Sequence, residues 1–546
     1  NCIPKAKGAP GLLTERERER MEKEGVTLAP DAEKESYNEQ FYLYLALTKA
    51  SEQVILTYSV MTSKGESKRP SYLINRVKQV FPKLVVEKEE MDTSYEKIMG
   101  SDKGKSYLIS HLADGSYAKD VIWWEIASHY EKKTPGILKD LLRIREKRAG
   151  NNSLKKEAAK RLFGDVLYGS VSRFEQYVQC PFAFFSHYGL LLNERQQYEI
   201  SSLDHGNLFH QAMEHLSHEL EQRNKNWQDL SEEEAVLLAA ECVDAVAERY
   251  QGRKYFQSNR VSFMLKRLKN EVVHSVWAMW HQMQEGDFVQ TYTEKGFRGS
   301  DKEWESMCIP FDEDAKICLN GVIDRVDLCS LPGEELIKII DYKSSDSQDL
   351  SLAKVYYGLQ MQLLTYLEAA KEMVEKEHKG KEAVPAAMLY YAIKEKNLDW
   401  KPESEEEYEK RVLDSMKCKG YVNEEPEIIG HLDKSVVDGG ELIPGQKSGV
   451  VPVAVDKKGL LKKNSGTLST KDFETLIAHT KEKMKECGKA ILDGKIEAIP
   501  YVYEDNDGCT YCPYGSVCGH ESKKDGVREM KKMSDDEVWE ALYGDD

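Results

Sequence analysis

The order of periodic segments predicts an α/β fold. Helix-periodic runs dominate from about residue 192 to 290, β-rich runs follow from about 304 to 345, and a helix, a further strand and a last helix come after them. At 546 residues the chain is too long for one ordinary core, so two or three domains are expected. Hydrophobic residues make up 40% and aromatics 9%, enough apolar surface for globular packing.

Residues 1 to 60 open with the charged, helix-like "LLTERERERMEKEG". "NEQFYLYLALTKASEQVILTYS" then turns from helical to strand-like, so a helix is expected to feed a buried strand at Val54 to Tyr58. "GSDKGKS" (Gly100 to Ser106) imitates a phosphate-binding loop but has three residues between its glycines where four are needed, so it is set aside. From about 105 to 165 the chain reads as charged amphipathic helices, among them "KDVIWWEIASHYEK" and "ILKDLLRIREKRAG".

An aromatic stretch, "YGSVSRFEQYVQCPFAFFSHYGLLL" (Tyr168 to Leu192), marks a change. Helical segments such as "HGNLFHQAMEHLSHEL" follow, then the strands, then one helix "LAKVYYGLQMQLLTYLEAAKEMVEKE" and the strand "AAMLYYAI". The Gly-, Asp- and Lys-rich stretch from about 430 to 468 reads as loop. A last helix, "KDFETLIAHTKEKMKECGKAILDG", leads to the cysteines of "CTYCPYGSVC".

The longest apolar run, near "AVPAAMLYYAI", is well short of the roughly 20 residues that span a bilayer. No charged-then-apolar leader opens the chain, and a soluble cytoplasmic protein is expected. The chain begins at Asn1, so a fragment is also expected. The formal charge of −17 excludes a uniformly basic coat for nucleic acid but not a local basic groove. Eleven cysteines over such a length are expected to be reduced thiols plus one metal site.

Chemistry concentrates in "NGVIDRVDLCSLPGEELIKIIDYKSS" (Asn320 to Ser345). "VIDRVDLC" and "LIKIIDYK" are β-rich runs separated by the turn signal Pro332-Gly333, which predicts a hairpin. A hairpin symmetric about that turn pairs residues whose numbers sum to 665, which sets Asp324 opposite Asp341. Opposed side chains have Cβ atoms roughly 5 Å apart, where two like charges destabilise a sheet. Hard oxygen ligands in that position suit Mg²⁺. Lys343 lies two residues past Asp341 and therefore on the same strand face. The alternative is a solvated surface hairpin; the opposed acids favour a phosphodiesterase site in which Lys343 stabilises the transition state.

"GVIDRVD" followed by "IIDYKSS" resembles the signature of the RecB and AddB type of nuclease domain in the PD-(D/E)XK superfamily. Its helical Q-x-x-x-Y motif is matched by Gln362 and Tyr366. Val355, Leu359, Gln362 and Tyr366 read as one helical stripe, so Gln362 is either a satisfied core amide or an active-site group. "HGNLFHQAMEHL" is similar to the family's histidine motif, carried onto His210 through the G-x-x-x-H pattern of Gly206 and His210. Glu214 follows one turn later, and His205, His215 and His218 crowd the same helix.

In AddB-type proteins a cysteine before the nuclease core joins three after it around a [4Fe-4S] cluster. Cys180, Cys509, Cys512 and Cys518 resemble that set. Four thiolates hold either zinc or a cluster, and spacing alone does not choose between them. Cys2, Cys242, Cys308, Cys318, Cys329, Cys418 and Cys487 show no ligand spacing and read as small core or surface residues. "YLALTKAS" resembles the last motif of superfamily 1 helicases, with Lys49 in place of the family's arginine. Lysine lacks the bidentate fork, which speaks against ATP turnover by this part.

The resemblance implies four divisions: 1–60, the end of a helicase-like domain; 61–165, a helical connector; 166–520, the nuclease domain, a central mixed sheet flanked by helices and stapled by the cluster; and 521–546, a tail. It also implies a Mg²⁺-dependent exonuclease that cuts a single DNA strand in the 5′ to 3′ direction, with single- and double-stranded DNA as partners. It would work as a heterodimer with an AddA-type helicase-nuclease partner in the repair of double-strand breaks. A stand-alone iron-sulfur nuclease of the CRISPR adaptation type and a non-catalytic DNA-binding scaffold are the competing readings.

Overall fold

A computed structural model describes residues 32–60, 67–87, 101–114, 120–148, 153–193, 202–251, 259–297, 304–343, 349–393, 404–520 and 526–544, with six positions between 18 and 25. Most of "LLTERERERMEKEG", Cys2, and Ser344 and Ser345 of the hairpin signature lie outside the described residues. The chain forms two compact units, Asn1–Arg145 and Glu146–Asp546.

The described elements of the first unit are helices: α1 (Ala32–Thr48), α2 (Tyr72–Val80), α3 (Ser101–Asp114), α4 (Val121–Lys133) and α5 (Ile137–Arg148), whose last turn passes into the second unit. Asp120 caps α4 by accepting from the amides of Ile122 and Trp123, and Trp123 donates its indole N–H to the Leu108 carbonyl at 2.9 Å. Leu108, Leu112, Trp123, Ala127 and Tyr130 make its small core. The sequence "SDKGKS" is the start of α3, not a phosphate loop. Val54 to Tyr58 is not the expected buried strand. It has no ladder partner among the described residues, and Ile55 is 74% exposed.

The second unit opens with α6 (Lys156–Phe163), β1 (Val166–Gly169), α7 (Val171–Gln179) and α8 (Pro181–Phe184). Leu154 donates to the Gly494 carbonyl, so the end of the stretch read as a connector packs here. Three long helices follow, α9 (Ser202–Gln222), α10 (Glu232–Gln251) and α11 (Asn259–Gln284). The strands β2 (Val289–Gly296), β3 (Met307–Pro310), β4 (Lys316–Leu319), β5 (Val322–Leu331) and β6 (Glu334–Lys343) come next, then α12 (Leu352–Tyr356), α13 (Gln362–Glu377), β7 (Glu382–Ala392), α14 (Glu405–Ser415), β8 (Lys419–Asn423) and α15 (Pro426–Leu432). The loop-like stretch holds a single 3-10 turn (Lys434–Val436) and the two-residue strands β9 (Val437–Asp438), β10 (Glu441–Leu442) and β11 (Thr467–Leu468), and α16 (Thr470–Leu492) closes the core.

A mixed sheet in the order β11-β8-β7-β6-β5-β2 is central, with β6 parallel to β7 and β8 to β11. One face, including Val326, Ile337 and Ile339, packs against α13 and α16 through Leu363, Leu367, Leu476 and Met484. The other, including Leu336, Ile340 and Leu389, packs against α9, α10 and α11 through Leu208, Val243, Val272 and Met279. Two covered faces explain why β6 and β7 are nearly continuous apolar runs.

Three sequence expectations are corrected. The strands begin earlier than the expected 304, with β2 at Val289–Gly296. The helix expected from Leu352 to Glu377 is two helices, broken at Gly358, whose φ of +77° is left-handed and favours glycine. Cys308 and Cys318 are not separate thiols: they face one another across β3 and β4 with Cα atoms 4.2 Å apart and form a disulfide.

The residues beyond the core also pack. β12 (Tyr501–Tyr503), β13 (Asn506–Asp507), the short α17 (Gly515–Cys518) and β14 (Arg528–Glu529) surround the last cysteines, and β12 pairs with both β13 and β14. The final helix, α18 (Asp535–Tyr543), places Val538 in the main core. Among the described residues no helix is long and apolar enough to cross a membrane.

Candidate active site

The hairpin has the register read from its turn. Every paired rung of β5 and β6, from Leu331 with Glu334 to Arg325 with Ile340, sums to 665, and the same sum sets Asp324 against Asp341 one position beyond the last paired rung. Asp324 accepts the Tyr342 amide at 2.7 Å, which anchors its carboxylate across the strands. Gly321 precedes β5 because a Cβ there would meet the Phe297 ring at 2.7 Å. Asp341 forms an ion pair with Lys343.

Helix α13 brings its first residue to that pair. Gln362 accepts from Lys343 Nζ at 3.1 Å, donates to Asp341 Oδ1 at 3.3 Å, and donates to the Tyr366 hydroxyl at 2.9 Å. Asp341, Lys343, Gln362 and Tyr366 are thus one bonded group, and Asp324 stands within electrostatic reach of Asp341. The stripe that was to carry Gln362 does not extend back to Val355, because the helix breaks between them. Gln362 and Tyr366 meet because residues four apart share a face.

His210 on α9 joins the group from another side, with Nδ1 at 2.8 Å from Glu294 Oε1 and 3.6 Å from Asp324 Oδ1. Glu294 is the residue that the sequence reading missed. β2 carries a bulge between Gln290 and Tyr292, beyond which its pairs with β5 sum to 618, so Glu294 falls opposite Asp324. Its φ of +46° is a strained value for a side-chain-bearing residue. Glu214 is elsewhere, 3.9 Å from His218.

His210, Glu294 and Asp324 each offer a ligand atom within 4.8 Å of the others. Asp324 and Asp341 are only 7% and 2% exposed. Burial, and then the neighbouring charge of Asp341, push the Asp324 carboxyl well above the usual range; burial also raises Asp341 against the pull of Lys343. At His210 burial is outweighed by the Glu294 hydrogen bond and the Asp324 charge, and the imidazole is raised. Carboxylates drawn together at this cost, with one imidazole, fit a hard divalent cation.

Three residues along β5 the logic reverses. Asp327 faces the other side of the sheet, where Arg325 donates Nε to it at 2.7 Å and Nη2 at 3.0 Å, and Lys338 lies at 2.8 Å. Burial opposes ionisation of Asp327, but the charges of Arg325 and Lys338 overcome it and hold the carboxyl below its usual range.

Around the last cysteines, Cys180 ends α7 and Pro181 starts α8. Asp507 builds the turn of "CTYC", accepting from the amides of Cys509 at 2.9 Å and Thr510 at 2.6 Å. Tyr514 packs with Cys180 and donates to the Leu192 carbonyl at 3.0 Å. Arg528 binds the carbonyls of Val178 and Gln179. Burial raises the Cys509 thiol to about 11, and the charges of Cys180, Cys512 and Cys518 all act on it, so the four sulfurs share one neighbourhood. No three of them close to within 4.8 Å.

The sequence profile of the PD-(D/E)XK nuclease superfamily matches residues 169–519. The chain is 33% identical over 553 residues to the B subunit of the ATP-dependent helicase/deoxyribonuclease of Lachnoclostridium phytofermentans, covering 100% of this chain and 46% of that protein. It is 32% identical over 562 residues to the protein of that name from Clostridium perfringens, and 28% over 550 residues to that of Alkaliphilus oremlandii, covering 99% of this chain and 47% of the relative each time. The chain therefore spans about half the length of the curated relatives it matches. A profile match across most of the second unit, enclosing the paired acids, their lysine and the helix that holds them, means that the chain belongs to the PD-(D/E)XK nuclease superfamily.

Proposed function

We propose that the chain is the nuclease-bearing part of an AddB-type protein. In this reading it is a Mg²⁺-dependent exonuclease that cuts a single DNA strand in the 5′ to 3′ direction, beside an AddA-type helicase-nuclease partner, during double-strand break repair. The observation that carries the reading is the row of Glu294, Asp324 and Asp341 across three neighbouring strands, with Lys343 beside it. His210, Glu294, Asp324 and Asp341 would hold the ion, which when bound offsets their charge and polarises a phosphoryl oxygen. Lys343 presents an ammonium to the charge that develops on the phosphoryl group, and Gln362 fixes the orientation of that ammonium. Strand polarity and the partner follow the resemblance to AddB-type proteins.

Cys180, Cys509, Cys512 and Cys518 would hold a [4Fe-4S] cluster. Four thiolates hold either zinc or a cluster, and the choice of the cluster follows the resemblance to AddB-type proteins. The site ties the entry of the nuclease unit to its exit.

With Mg²⁺, the protein is expected to degrade end-labelled single-stranded DNA, releasing label from the 5′ end first, and Asp341→Ala to abolish cutting while leaving the fold. Cutting that is equal in both proteins refutes the assignment, and an inactive wild type favours a scaffold. Cys512→Ala is expected to remove a brown chromophore and lower stability; a colourless wild type with stoichiometric zinc decides for zinc.

A further inference from the structure

Helix α13 delivers Gln362 to the acids, yet its own N-cap position is Met361, a side chain that accepts no hydrogen bond. The first amides of a helix need acceptors, and a carboxylate there also meets the positive end of the helix dipole. Glu175, in the middle of α7, fills that place from a distant part of the chain. Its Oε1 accepts the Met361 amide at 2.6 Å, and the Gln362 amide lies close enough to favour its ionised form.

Glu175 keeps some accessible surface, but its carboxyl group is enclosed. Burial pushes that carboxyl up to about 7, against the pull of the two amides and of Lys343. The charges of Lys343 and Asp341 both act on it, so it stands within electrostatic reach of the site without touching either group.

We propose that Glu175 is a positioning residue for the nuclease: it caps α13 from another helix and so fixes Gln362 against Lys343 and Asp341. The activity it serves is the one proposed above, and α7, which carries it, runs directly into Cys180. A slack α13 start moves the Gln362 amide away from Lys343 and Asp341, and misplacement of about 1 Å at an active site costs on the order of a hundredfold in rate.

The test is a double-mutant cycle with saturating Mg²⁺ and end-labelled single-stranded DNA, together with hydrogen exchange of the segment from Met361 to Tyr366. Glu175→Ala is expected to lower kcat about tenfold or more with little change in KM, and Glu175→Gln, which keeps an acceptor oxygen, to restore most of the rate. In the Gln362→Ala background the Glu175→Ala change is expected to add nothing, because groups acting through one another are not additive. Exchange from Met361 to Tyr366 should quicken in Glu175→Ala and stay near wild type in Glu175→Gln. Should Glu175→Ala unfold early, Glu175→Asp, which draws the charge back by one methylene, takes its place with the same expectations. Additive losses, or unchanged exchange in the Ala or Asp variant, overturn the proposal. Absence of cutting by the wild type defeats the nuclease reading instead, and the exchange result still decides the capping.

Discussion

Two acidic groups share strands β5 and β6 on opposite faces of one sheet, and they are built to opposite ends. On one face Asp327 lies between Arg325 and Lys338, charge-balanced and held ionised. On the other, Asp324 faces Asp341 and Glu294, with Lys343 and His210 offsetting only part of the charge, and burial keeps the Asp324 and Asp341 carboxyls above their usual range. Burying a charge is costly unless it is paired. A face that meets this requirement serves the fold; a face that leaves it partly unmet is suited to a cation.

The sharpest way to break this comparison is to neutralise one acid on each face. Asp324→Asn is expected to reduce cleavage of single-stranded DNA about a thousandfold or more, since each factor of ten corresponds to about 1.4 kcal/mol of lost transition-state stabilisation. The same change should raise the denaturation midpoint of chelator-treated protein, because it removes a like-charge contact. Asp327→Asn should do the reverse, lowering stability by about 3–5 kcal/mol through two buried cations left short of an anion, while the folded fraction keeps cutting. Urea unfolding and a cleavage assay on the same preparations decide it; a parallel loss of stability and activity in both variants removes the distinction.

A smaller effect separates the faces by pH. Asp327 has a folded value below its ordinary 3.8, so it contributes stability that is present above 3.8 and lost as pH falls through the folded value. The stability gap between wild type and Asp327→Asn is therefore expected to be full near neutral pH and to close in acid below 3.8. Denaturant midpoints along that range measure it, and a gap independent of pH means that Asp327 acts through shape and not charge.

Much of the site was legible before any fold was known, for reasons particular to its residues. Pro332 and Gly333 mark the turn, and the period of two then places Asp324, Asp341 and Lys343 on one side. Gln362 and Tyr366 were legible as a pair, but not the helix break before them, which Gly358 creates. Glu294 is not legible in the sequence, because "FVQTYTEKG" follows helical segments without a clean strand alternation. Its β-branched and aromatic residues were the available signal, though a bulge in the strand disturbs the alternation that would have named Glu294.

Local rules alone determined the α/β class, the hairpin and the opposed acids, because turn chemistry and strand periodicity act between near neighbours. The tertiary structure alone decided that Glu294, 84 residues from His210, meets that imidazole beside Asp324, and that Glu175, 186 residues from Met361, accepts the amide at the start of the helix of Gln362. Such contacts depend on which helices and strands pack together, and that follows from burial summed over the whole core and not from the spacing of any one motif.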